Sequence, residues 1–411
     1  MLEYYVSLYT DIYWTKRVFV ALAFILVICT GIRIFQLVSD SLAVKDVEVG
    51  AIKPEVGYGP IPPLNLKTKS GFEDFKPSRF RISTVSGNLN AENGYPLENT
   101  QSPIANVYRI IEQPIDLSTT QEPLRIAREL NFSQSPQEIS NTTRLWQEGG
   151  RKLLINGQYK TIEYSNENLK TSATPQYTTT ILTNVNQDIL KNLFRRVLVE
   201  FKYSFPLDSY IFTIQYLNYD PVKNKFVISE TSQSSYYRIE AIRSYPNLSK
   251  GDSKSKAYAV YPEDGVSNIY IILINSDLRD QFDTKNTKVL DQLVELKLYA
   301  WPISTSDPMK NQDIQTYPII TPQEAYKRLT NHEAFLISAK DSATGVDIEP
   351  QSLEGVELVD VLTVKLAFYE EPIFSKYIQP VYVFIVECQH LGKKYILNYY
   401  VPAIAESYLL L

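Results

Sequence analysis

The chain has 411 residues, 21% of them charged and 44% apolar, a balance that supports two or three folded domains rather than disorder. With 41 basic and 46 acidic residues the net charge is −5, which argues against the basic face that a nucleic-acid binder needs. Two cysteines (Cys29, Cys388) and two histidines (His332, His390) leave little material for a disulfide framework or a metal cluster.

Residues 1–17 are rich in rings. Tyr5, Tyr9 and Tyr13 are spaced four apart, so a helix would carry them on one face, where they suit a water–lipid interface. The stretch Val18–Ile32 has no charge. As a helix it reaches only about 22 Å, too short for a hydrocarbon core of about 30 Å. Extension to Val38 brings it to about 32 Å, with Arg33 near the far end, where its long stem carries the guanidinium to the headgroups. The run is long for a signal peptide, and Ser41-Leu42-Ala43, which loosely resembles a cleavage site, lies well beyond it. The sequence thus predicts a transmembrane helix over 18–38 that acts as a signal anchor. Lys16-Arg17 ahead of the run favour an inside N-terminus and an extracytoplasmic body in a single-pass protein of the cell membrane.

Residues 39–79 read as a proline-rich extended stalk or a segment hugging the surface. Pro54, Pro60, Pro62 and Pro63, with Gly57 and Gly59, rule out long regular elements. A first module is expected over 80–180. It has strands from Phe80 and over Ala105–Ile111, then a helix opened by Thr119 and Glu122 at capping-box spacing with Pro123 in its first turn. Strands Arg144–Gln147, Lys152–Ile155 and Tyr159–Tyr164 follow, the last two joined by Asn156-Gly157, a hairpin signal whose turn positions need positive φ.

A second module is expected over 181–310. Asn186 can cap a helix from Gln187 to about Val199 with an apolar stripe through Ile189, Leu190, Leu193, Phe194 and Val197. Strands are expected at Ile211–Tyr219, Lys225–Glu230, Tyr236–Ile242, Ala257–Val260, Ile269–Asn275 and Val294–Trp301. A third module over 311–411 opens with Thr321-Pro322-Gln323-Glu324, a capping box with proline at the first helical position. Strands Val356–Tyr369, Tyr377–Cys388 and Lys394–Val401 complete it. Between Val381 and Cys388 both alternating faces are largely apolar, as in a central strand. The fold class is therefore α+β: a membrane helix followed by antiparallel-sheet modules, each with a short packing helix.

Chemistry finds few footholds. No G-x-S-x-G, P-loop or G-x-G-x-x-G occurs. His332 and His390 are isolated and read as surface or loop histidines; Cys388 reads as a packed thiol on an apolar strand. Ser306 and Lys310 do not make S-x-x-K, and Lys254 and Lys256 sit in a polar loop. Glu370-Glu371 before Pro372 reads as a solvated turn rather than a glycosidase pair, whose acids must face one cleft. Asn131, Asn141 and Asn247 head glycosylation sequons that matter only in a eukaryotic secretory route. No catalytic, cofactor-binding or metal-ligating residue is nominated, and no cofactor is expected.

TYPIITPQEAYKRL (316–329), VDVLTVKLAFYE (359–370) and IQPVYVFIVE (378–387) resemble the C-terminal part of single-span envelope proteins of the YycH/YycI and PepSY-like kind. GPIPPL, STVSGNL, VYRI, LRIARELNF and the tryptophan hairpin extend the likeness to uncharacterised membrane-anchored proteins of candidate-phyla bacteria. The domain count and the long middle module depart from the YycI pattern. The resemblance implies an anchored, non-enzymatic, extracytoplasmic protein. In YycI-type proteins such a domain modulates a sensor kinase, but no shared binding residue carries that role here. The expected partners are the lipid bilayer, through 18–38, and another envelope protein, with no nucleic acid. The alternatives are a structural component of a surface or secretion apparatus, and an envelope hydrolase using carboxylates.

Overall fold

Local signals set most elements of the computed structural model, which describes residues 54–82, 104–112, 114–172, 187–201, 203, 206–229, 234–245, 257–263, 266–275, 289–303 and 313–410. The predicted segment 1–17 and membrane helix 18–38 lie outside them, and among the described residues no helix is long and apolar enough to cross a membrane. Pro54–Leu411 forms one compact unit.

In chain order the elements begin with β1 (Arg79–Ile82), β2 (Ile104–Arg109), helix α1 (Leu117–Glu129), β3 (Gln137–Glu138), β4 (Thr143–Glu148), β5 (Arg151–Asn156), β6 (Thr161–Asn166) and α2 (Glu167–Ser172). The middle holds α3 (Gln187–Glu200), β7 (Tyr210–Asp220), β8 (Lys225–Ile228), β9 (Tyr236–Tyr245), β10 (Ala257–Val260), β11 (Ile269–Ile274) and β12 (Leu293–Leu298). The last stretch holds β13 (Ile314–Pro318), α4 (Pro322–Thr330), β14 (Phe335–Asp341), β15 (Leu358–Tyr369), β16 (Tyr377–His390) and β17 (Lys393–Pro402). The chain is α+β, mostly antiparallel sheet with few helices.

The capping box of α4 forms as its sequence dictates. Thr321 Oγ1 accepts from Glu324 N at 3.1 Å, and Glu324 Oε2 accepts from Thr321 N at 3.1 Å. Helix α1 starts three residues earlier than expected. Asp116, not Thr119, is its N-cap: the carboxylate accepts from Thr119 N and Thr119 Oγ1 accepts from Asp116 N, both at 3.1 Å. Pro123 therefore lies inside the helix, where it has no N–H to give the Thr119 carbonyl.

That carbonyl faces the β5–β6 turn. A Cβ on Gly157 would lie 1.8 Å from Thr119 O. The glycine of the Asn-Gly signal is thus required by this close approach rather than by a positive φ, which falls instead on Lys160 (54°). Asn156 Oδ1 holds the turn by accepting from Gln158 N (3.0 Å) and Tyr159 N (3.1 Å). Gly157→Ala is expected to destabilise the protein by about 1–3 kcal/mol, because α1 and the hairpin must move apart. Chemical denaturation of the two proteins checks this.

Strand pairing departs from the modular expectation. One antiparallel sheet runs in the order β3-β4-β5-β6-β12-β11-β9-β7-β8. The boundary expected near 180 therefore does not separate two sheets, since β6 pairs with β12 from Ile162↔Leu298 to Ser165↔Glu295. The second sheet is β14-β17-β16-β15. The strands expected in the first module, β1 and β2, join this C-terminal sheet. β1 runs parallel to β15, and β2 pairs with β13 and the start of β16. β10 links the two sheets: Ala257 and Tyr258 pair with β9, while Ala259 and Val260 run parallel to β15. Residue alternation shows that a strand has two faces but not which neighbour takes its backbone groups.

The stalk expected over 39–79 is also corrected where it is described. Ile61, Leu66 and Phe72 are buried. Val56 N donates to Thr316 O, Ile61 N to Tyr408 O, and Leu410 N to Ile61 O. The prolines keep 54–77 out of regular structure, and its backbone groups are satisfied by the C-terminal strands instead. α1 and α3 bury Ile126, Leu130, Leu193, Phe194 and Val197 against one face of the long sheet. β16 is central as read: Tyr382, Phe384, Val386 and Cys388 enter the largest core, and Val381 and Val383 a second one.

Candidate functional site

The residues singled out in the sequence do not converge. Ser306, Lys310, Lys254, Lys256 and Asn247 lie outside the described residues. His332 ends α4 in the left-handed region (φ 60°), and His390 precedes the β16–β17 turn. Cys388 is buried, and burial first, then the Glu387 charge, pushes its thiol up to about 12. The folded chain should therefore leave Cys388 unalkylated by iodoacetamide at pH 8, while the unfolded chain reacts. Mass spectrometry of the Cys388 peptide reads this, and rapid modification of the native protein would contradict it.

Glu370 overturns the solvated-turn reading, because it is 0% exposed. Its carboxylate accepts from Tyr245 OH at 2.5 Å and lies 3.4 Å from Arg243 Nη1. Arg243 Nε donates to Tyr210 OH (2.9 Å) and Nη2 to the Trp301 carbonyl (2.7 Å). Asn268 Nδ2 donates to the Glu370 carbonyl at 3.0 Å, and Trp301 Nε1 to the Glu371 carbonyl at 2.6 Å. Burial works against the Arg243 charge, but Glu370 together with Tyr210 and Tyr245 outweighs it and keeps the guanidinium protonated. Burial and then Glu370 push the Tyr245 phenol well up, and burial pushes Tyr210 up to about 12. This network sits where β9, the end of β12 and the end of β15 meet. It holds the two sheets together, with both of its charged residues buried.

The arrangement best suited to recognition is the face of the long sheet opposite α1 and α3. Alternation places Gln215 (β7), Arg238 and Glu240 (β9), Tyr270 (β11), Glu295 and Lys297 (β12) and Glu163 (β6) there, in cross-strand register. Cations, anions and rings interleave. Arg238 Nε lies 2.8 Å from Glu240 Oε1, and its guanidinium is 5.7 Å from the Tyr270 ring. Tyr270 OH donates to Glu295 Oε2 at 3.4 Å, and Lys170 from α2 reaches Glu295 at 2.8 Å. Beyond β12, Tyr299 OH bonds to Glu163 while Lys297 sits 5.3 Å from the Tyr299 ring. Glu240 is buried and the others are half-buried. Burial, then the neighbouring carboxylates, push the Tyr270 and Tyr299 phenols up. Such a face offers hydrogen bonds, charge and ring surface together, but no nucleophile paired with a base.

No protein-family model matches the chain, and no curated protein matches it. A crystal structure of an uncharacterized protein from Eubacterium rectale ATCC 33656 is similar at 11% identity, over 74% of this chain and 84% of that one, with a TM-score of 0.32. At that level the likeness assigns neither family nor activity.

Sequence reading missed both the Arg243–Glu370 network and the polar face. The only local trace of the first was a charge inside an apolar strand, YYRIEAIRSY. The second was visible as alternation in each strand, but the strands that share it come from distant parts of the chain.

Proposed function

We propose that the chain is a single-pass protein of the cell membrane, anchored by 18–38 with its N-terminus inside, whose extracytoplasmic body binds another envelope protein without catalysis. The observation that carries the binding reading is the half-buried face of interleaved Arg, Lys, Glu and Tyr across β6, β12, β11 and β9. Arg and Tyr are the residues that most often anchor interfaces, and a sheet holds them in fixed register. The commitment of Glu370 to Arg243 and Tyr245 supports binding over a hydrolase built on that acid.

The test has two arms. Protease added outside intact cells should digest the body; complete protection there removes the proposed orientation. Affinity capture of the detergent-solubilised full-length chain should recover a discrete partner that Lys297→Glu releases. Repeated capture of nothing, or of a partner indifferent to that change, removes the binding role. Ordered self-assembly would point instead to a structural surface or secretion-apparatus component.

A further inference from the structure

A separate cavity of about 60 Å³ lies between the end of α4, the start of β14 and the segment 68–76. Phe72, Leu329 and Leu336 are among its lining residues and are each at most 2% exposed. The rings of Phe75, Phe80 and Tyr399 add aromatic wall, with Phe80 and Tyr399 edge to face at 6.0 Å. The segment that closes it is held in place. Lys69 N donates to Leu336 O at 2.6 Å, Lys69 Nζ lies 3.0 Å from Asp347, and the turns Phe72 N to Lys69 O and Phe75 N to Phe72 O set the ring positions. The shape therefore exists before anything enters it, which lowers the cost of binding.

Thr68 and His332 also line the cavity, and two charged groups of its lining are left over after folding. Glu73 and Lys76 both line it and are exposed, and neither forms an ion pair or hydrogen bond with another described residue. One free carboxylate and one free ammonium, three residues apart beside a ring-lined cavity, form the complement of a zwitterion with an apolar tail.

We propose that this cavity binds a free α-amino acid with a small branched aliphatic side chain. The side chain fills the ring-lined space, the ligand ammonium faces Glu73 and its carboxylate faces Lys76. Size sets the side chain: a cavity of about 60 Å³ suits a short branched side chain better than an indole. Opposite charges at the mouth select the zwitterion over a simple acid or amine, because either of those leaves one protein charge without its partner.

Equilibrium dialysis of the full-length chain in detergent against labelled L-valine tests this. Retention with a Kd on the order of 1 mM or tighter is expected, with valinamide and isovalerate each about tenfold weaker. Glu73→Gln should abolish the preference for valine over isovalerate, and Lys76→Met the preference over valinamide. Both residues are exposed, so neither change disturbs packing. L-Tryptophan should not compete. The proposal fails if valine is not retained at about 10 mM, a concentration well above that Kd. It also fails if the amide and the acid bind as well as valine, if tryptophan competes equally, or if the two variants bind all four compounds as the parent does.

Discussion

Glu370→Leu and Arg243→Met are each expected to destabilise the protein by about 3–5 kcal/mol, while the double variant loses much less than the sum. Each single change leaves one full charge at a site that is 0% exposed for Glu370 and 5% for Arg243. A lone ion there has no water to replace its partner, and the remaining bonds do not neutralise it. Removing both charges together removes that penalty and leaves mainly a packing defect. Glu370→Leu also deprives Tyr245 OH of its acceptor, and Arg243→Met deprives the Trp301 carbonyl of its donor. The double variant therefore stays below the parent in stability but above either single one. Urea unfolding of the full-length chain in detergent, followed by tryptophan fluorescence, supplies the comparison. Single variants within about 1 kcal/mol of the parent would show that the pair is not the clamp described here.

Trp301→Ala is the second large effect, again about 3–5 kcal/mol. The indole follows β12 and meets two distant parts of the chain as well as its near neighbour Tyr299. Its ring centroid lies 5.8 Å from Tyr159 in the β5–β6 turn, 6.0 Å from Phe374 in the β15–β16 connection, and 6.1 Å from Tyr299. Tyr159 and Phe374 stack on each other at 4.5 Å, so the three rings close one cluster. Trp301 is 3% exposed, and truncation to Ala opens a cavity that rings from different elements cannot collapse to fill. Trp301→Phe keeps ring packing and loses the bond from Nε1 to the Glu371 carbonyl, for an expected cost of about 1 kcal/mol. Limited proteolysis reads the same event locally: the Ala variant should be cut faster between β15 and β16, the Phe variant little faster than the parent. Equal cutting of all three would place the stabilising role of Trp301 elsewhere.

The elements that were legible in the sequence are those whose hydrogen bonds close within a few residues. Thr321 and Glu324 cap one another across three positions, so the start of α4 was readable to the residue. Helix α1 was misplaced because Thr119 and Glu122 imitate the same spacing, while the true cap, Asp116, bonds Thr119. Among the strands, β7, β9, β11, β15, β16 and β17 announced themselves by apolar alternation. β13 and β14 did not: IQTYP is five residues ending in proline, and FLISAKD turns polar halfway along. Glu370 was misread because nothing next to it in the chain reveals Tyr245, 125 residues away.

By itself the sequence determined most of the strand and helix content, the centrality of β16, and the uncharged run at 18–32 extended to 38, because these depend on residue spacing and local backbone bonding. Only the tertiary structure decided that 54–77 is woven into the C-terminal strands, that β1 and β10 share one edge of β15, and that β3–β6 of the first expected module and β7–β9, β11 and β12 of the second form a single sheet. It alone placed Glu370 beside Arg243 and left Glu73 and Lys76 unpaired beside a cavity. Those outcomes depend on which distant segments meet. A strand's free edge accepts any partner of suitable register, and the choice is made by the packing of the whole body rather than by the residues of the strand.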